Sequence, residues 1–204
     1  MTAAESQGPL SVHRLLPSTG EFRTLLLGSS LRKVIRWQIS GSDADRPAAL
    51  SGSWDGDPRL RKGEFPCGYP GAPVFSGRIA EALRGELSSA GELVPVSVEG
   101  AGPDGSDGSD EYFLYLVEPV VDCLDTRRSS KPKRMTGEIK KAVFRSDALP
   151  VDLPAFRLPE YRGGVHWNGW AVDLLTELLG DDLEARLIWS EDPSLTPHPD
   201  PWGF

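Results

Sequence analysis

The sequence predicts an α+β fold: a mostly antiparallel sheet packed by two main helices and joined by long Gly/Pro-rich loops. Three observations carry this. Patterns along the chain run strands, helix, strands, helix, strand, without the regular β–α alternation of a doubly wound sheet. Two segments place apolar residues at helical spacing. The 204 residues include 22 Gly and 18 Pro and are only 39% apolar, so turns and loops are abundant. A chain of this length buries one substantial core, so residues 1–204 are expected to form a single domain. Residues 1–10 and 191–204 are expected to be loosely ordered tails.

Each element follows from local pattern. In "LRKVIRWQIS" (31–40), Ile35, Trp37 and Ile39 alternate with Arg36 and Gln38, the period of a half-buried strand. Residues 41–73, dense in Gly, Pro, Asp and Ser, read as a long irregular connection, a type of segment that is often functional. "VFSGRIAEALRGELSSAGE" is a helix capped by Ser76, with Ile79, Leu83 and Leu87 as its stripe and Gly91 at its stop. "LVPVSVEG" is a short strand. "AGPDGSDGSDE" is an acidic linker with nothing to bury. "YFLYLVEPVVDCLD" is the most apolar segment and the candidate central strand, with a bulge or break at Pro119, which lacks an amide donor. Short extended pieces follow in 142–164. "WAVDLLTELLG" is the second helix, with Trp170, Leu174, Leu175 and Leu178 on one face and Gly180 at its end. "LEARLIWSED" closes the sheet.

The net charge of −8 is unevenly spread. Residues 126–145 hold eight of the 22 basic residues and one of the 30 acids, a net +7, so the remainder carries −15. An acidic body argues against nonspecific nucleic-acid binding and favours a basic partner. Only Arg127, Arg128, Lys131, Lys133 and Arg134 offer phosphate a foothold, and their run holds no aromatic for base stacking. No stretch of about 20 apolar residues could span a bilayer, so no membrane association is expected. The opening "MTAAESQGPLSV" lacks a basic segment followed by an apolar one, so no secretory signal is expected. Two cysteines make no disulfide framework, and two reduced thiols in a cytoplasmic protein are expected.

The candidate chemistry is sparse. Asp122, Cys123 and Asp125 bracket a thiol with carboxylates, yet zinc needs three or four Cys or His ligands at matched spacing. No metal site is expected. The apolar run around Cys123 would raise its pKa, which argues against a nucleophile served by His166. The aspartates are expected to end a strand or cap Arg127 and Arg128. Cys67, in "FPCGYPG", reads as an exposed, unperturbed thiol in a flexible loop. No Gly-rich stretch has the lysine and flanking elements of a phosphate cradle. Neither cofactor nor catalytic residues are expected. "YRGGVHWNGWAVD" has the most unusual composition. It reads either as a turn with Asn168 capping the helix and a hydrophobic staple, or as a recognition surface. In the second reading Tyr161, Arg162, His166, Trp167 and Trp170 contact a partner. An enzyme or ligand-binding domain with a pocket near 161–170 is the alternative.

Several segments together resemble a known family. "PVFSGRIAEALRG" with "GELVPVSVEG", then "YFLYLVEPVVDCLD", then "KKAVFRSDALPVDLPAFRLPE", are similar to the suicide-antitoxin-like immunity family of bacterial polymorphic toxin systems. The likeness spans about residues 70–190 by order of elements; residues 1–70 lie outside it, and the closing "LEARLIWSEDP" is more charged than the family pattern. The resemblance implies a small α+β protein that neutralises a cognate toxin by direct binding, without catalytic residues or cofactor.

Overall fold

The computed structural model describes residues 8–18, 20–99 and 111–203. Among the described residues ten strands and four α-helices follow one another as β1 (Ser11–Pro17), β2 (Phe22–Leu26), α1 (Gly28–Ser40), β3 (Leu50–Asp55), β4 (Arg61–Lys62), β5 (Val74–Ser76), α2 (Gly77–Ala82), α3 (Arg84–Leu87), β6 (Gly91–Glu99), β7 (Tyr112–Val117), β8 (Ala155–Phe156), β9 (His166–Asn168), α4 (Gly169–Leu179) and β10 (Leu183–Ser190). The fold is α+β, in two sheets rather than one. A six-stranded sheet has the order β4-β2-β3-β6-β7-β5, and a four-stranded sheet has the order β10-β1-β9-β8. The β2–β4 and β3–β6 pairs are parallel, and the other strand pairs among the described residues are antiparallel.

Residues 31–40 are helical, which corrects the period-2 expectation. The buried positions of α1 are Ser30, Val34, Trp37 and Gln38, spaced for one helical face, whereas Ile39 is 64% exposed. Three alternating apolar residues fit either period, and only packing against the sheet chooses between them. Gly41 ends α1 with φ of 65° and donates to the Trp37 carbonyl at 2.8 Å. The connection after it is not wholly irregular. It contains β3, whose Gly and Ser are poor strand formers but whose backbone pairs with both β2 and β6.

Ser76 caps α2 as its sequence predicts, accepting from the Ile79 amide at 3.4 Å. The helix breaks at Leu83 into α2 and α3, while Ile79, Leu83 and Leu87 all remain buried. Gly91 opens β6 instead of closing a helix. A Cβ there would lie 2.1 Å from the Leu116 carbonyl oxygen, so only glycine fits that close strand contact. The chain of β7 runs between β6 and β5, and it leaves the sheet before Pro119, as a break. The acidic linker expected over 101–111 lies outside the described residues except for Glu111.

Three apolar clusters organise the interior. The first joins the sheets through Leu15, Phe75, Tyr115 and Trp167, with α2, α3 and α4 contributing Ile79, Leu83, Leu87 and Leu175. The face of α4 is rotated from expectation. Ala171, Val172, Leu175 and Leu179 are buried, and Trp170, Leu174 and Leu178 pack at its margin. The second cluster packs α1 on the six-stranded sheet. The third gathers Cys123, Leu124, Ile139, Phe144, Phe156 and Trp202. That last residue corrects the expectation of a loose C-terminal tail: Trp202 is 4% exposed, a bulky aromatic drawn out of a Pro-rich segment by the apolar surface it covers.

Candidate functional site

The aromatic turn is built by β9. Successive strand residues face opposite ways, so His166 points into the third cluster and Trp167 into the first. The Trp167 ring lies 5.9 Å from Tyr115 and 6.2 Å from Phe75. His166 stacks on Phe156 at 5.6 Å and meets Trp202 edge-on at 5.3 Å. Tyr161 meets Trp202 at 4.9 Å. The turn itself needs Gly164, where a Cβ would fall 2.3 Å from the Tyr161 ring. Tyr161, His166 and Trp167 are each 5% exposed or less. These three therefore form interior packing: the chain's own Trp202 covers Tyr161 and His166, and Phe75 and Tyr115 cover Trp167. Burial of that apolar area outweighs leaving it open to water. Arg162 is exposed and donates to the Ile39 carbonyl at 3.1 Å, and Trp170 is half-buried.

Burial also sets the charge states here. Desolvation pushes His166 down to about 3, and backbone groups of Gly164 and Phe156 offset it only in part. The imidazole is therefore neutral at pH 7. Desolvation likewise pushes Tyr161 up. Arg14, 1% exposed, holds the tail in place: it lies 5.4 Å over the Trp202 ring and donates to the carbonyls of Pro201 (3.1 Å) and Gly203 (3.4 Å).

A cleft of about 170 Å³ opens beside α4, lined by Leu10, Ser11, Val151, Asn168, Trp170 and Asp173. Asn168 occupies the cap position of α4 but does not cap it. Its Nδ2 instead donates to the carbonyls of Pro150 and Leu153 at 2.8 and 2.7 Å. The Trp170 indole donates to the Val151 carbonyl at 3.0 Å. Behind the cleft, Ser11 Oγ lies 3.1 Å from His13 Nε2. Burial lowers the His13 pKa, and the nearby Asp173 opposes the shift. A neutral imidazole beside a hydroxyl can accept its proton. A Ser-x-His pair on one face of a strand is readable from sequence, but the contact with α4 is not.

The stretch 122–125 is structural. Cys123 is fully buried and pushed up to about 12 by desolvation. Cys67 is also buried and pushed up to about 11, which corrects the expected exposed, unperturbed thiol. Neither is a thiolate at pH 7, so neither is poised as a nucleophile. Asp122 pairs with Arg145 at 3.1 Å. Asp125 accepts from the amides of Arg127 and Arg128 at 3.1 and 3.2 Å, capping the turn that enters the basic loop. Among the described residues no group of three or more His, Cys, Asp or Glu is placed to hold a metal ion.

The basic segment is held by hydrogen bonds between its arms. Its two arms are tied by Ser130 N to Lys141 O (2.8 Å), Lys133 N to Glu138 O (2.9 Å) and Val143 N to Ser129 Oγ (2.9 Å). Lys133 pairs with Glu138 at 2.6 Å, and Met135 near the tip is 95% exposed. No protein-family model matches this chain, and no curated protein matches it.

Proposed function

We propose that this chain is a protein-binding module that works in the cytoplasm and neutralises a cognate bacterial toxin by direct contact. The observation that carries the binding reading is the tied basic projection. A net +7 segment is held on a hydrogen-bonded frame, with a bare methionine near its tip, against a remainder of −15. Fixed charge and a preordered loop lower the cost of association and select the approaching surface. The toxin reading rests on the resemblance over residues 70–190. The cytoplasmic reading is supported by two cysteines that are both free and buried. No helix among the described residues is long and apolar enough to cross a membrane.

Co-expression with the product of the adjacent gene tests the proposal. The expected result is relief of growth arrest and a complex that co-elutes in size exclusion. Absence of both would refute it.

A second reading, a ligand- or substrate-binding domain, is favoured by the Ser11–His13 contact at the α4 cleft. A fluorophosphonate probe separates the two. On this reading the probe labels Ser11 in the native chain, and His13→Gln slows the labelling. An unlabelled Ser11 leaves the contact a structural hydrogen bond.

A further inference from the structure

We infer that the trough between the basic loop and the C-terminal segment binds an extended acidic protein segment carrying an apolar side chain between its carboxylates. The burial pattern along the loop's second arm creates one side of the trough. Ile139 and Ala142 are buried, so the intervening Lys140 and Lys141 are turned outward. Neither lysine makes an ion pair with a described residue. The opposite wall is Pro197, His198 and Pro199. Both prolines fix their own φ, and His198 ties the wall to β10 by donating its amide to the Leu187 carbonyl at 2.8 Å. The hollow between the walls is about 390 Å³, with Val143, Ile188 and Trp189 on its floor. A second hollow of about 300 Å³ continues past Lys140 and Pro199 toward Lys133 and Trp202.

Charge selects the occupant. Arg127, Arg128, Lys131 and Arg134 add four more cations to the same loop, and its one acid, Glu138, is already engaged by Lys133. Asp200 stands in the far hollow, which places the occupant's carboxylates at the Lys140–Lys141 end. The floor between the lysines and the prolines is apolar and takes a side chain that water would otherwise surround. A nucleic acid fits less well. Screening confines the loop's field to about 8 Å at physiological salt, and the rest of the chain is net −15, which disfavours a polyanion longer than the loop. A short acidic segment meets only the loop. The half-buried Trp189 supplies the kind of rigid aromatic that anchors such contacts.

This inference rests on the binding reading above and adds to it the face used and the chemistry of the partner. Its test uses the intact chain and a dye-labelled synthetic peptide of glutamates and aspartates around one central leucine, followed by fluorescence polarisation. Saturable binding is expected. It should weaken about tenfold in the K140E/K141E variant, because the rim charges that select the peptide are reversed. Replacing the leucine by glycine should weaken it too. The variant's unchanged melting temperature would show that folding is not the cause. No binding, or equal binding by the variant, overturns the inference, as does tighter binding of an oligothymidylate of equal charge. Toxin relief on co-expression is read separately, so either result can fail without the other.

Discussion

Trp202→Ala should lower folding stability by about 3–4 kcal/mol, the cost of emptying a well-filled aromatic site. The indole is 4% exposed and is enclosed by Tyr161, His166 and the Arg14 guanidinium. Removing it leaves Tyr161 and His166 facing a cavity. It also loosens the tail whose Pro201 and Gly203 carbonyls accept from Arg14. Arg186 holds the same segment, donating to Gly203 O at 2.7 Å, so the tail need not detach completely. Urea unfolding followed by far-UV circular dichroism measures the effect. Trp202→Phe should recover more than half of the loss. A Trp202→Ala cost below about 1 kcal/mol would mean that the tail contributes little to the third cluster.

The second large effect is a loss of stability in mild acid, centred on His166. Its folded-state pKa is about 3, against an unfolded value of 6.5. Between those values the unfolded chain binds the proton and the folded chain does not. The contribution is therefore fully present above pH 6.5 and is lost progressively as pH falls toward 3. From pH 7.5 to 4.5 this amounts to about 2–3 kcal/mol. His13, whose pKa is also lowered by burial, acts with the same sign. His166→Phe keeps a ring against Phe156 and Trp202 while removing the titrating group. Its stability should therefore drop by about 2–3 kcal/mol less than that of the wild type between pH 7.5 and 4.5. Equal drops would show that another group is the acid sensor.

Both effects arise where sequence reading and structure part company. The run from Tyr161 to Trp170 stands out by composition, and enrichment of Trp, Tyr and His suggests a contact surface. It is one, but what it contacts is inside the chain. Composition measures how much apolar area a segment must cover and is silent on whether the cover comes from a partner or from residues 40 positions away. Trp202 is the signal the sequence offers, a tryptophan in a Pro-rich tail. The trough beside the basic loop has no signature in any single stretch of the sequence. Lys140, Trp189 and His198 come from three separate segments, and the fold brings them together.

By itself, the sequence determined the features that depend on neighbours along the chain: the capped start of α2 at Ser76, the buried stripe of Ile79, Leu83 and Leu87, strands β6, β7 and β10, the stop of α4 at Gly180, the break at Pro119 and the charge division at residue 126. Each follows from backbone geometry, hydrophobic period or simple counting over a few residues. Tertiary structure alone decided that residues 31–40 coil into a helix, that poor strand formers at 50–55 pair on both sides, that Cys67 is buried, and that the basic run is tied into a frame. Short apolar patterns are compatible with more than one period, and a hydrogen bond or a buried face is assigned only when a distant partner arrives. The free energy that chooses between them belongs to contacts across the chain.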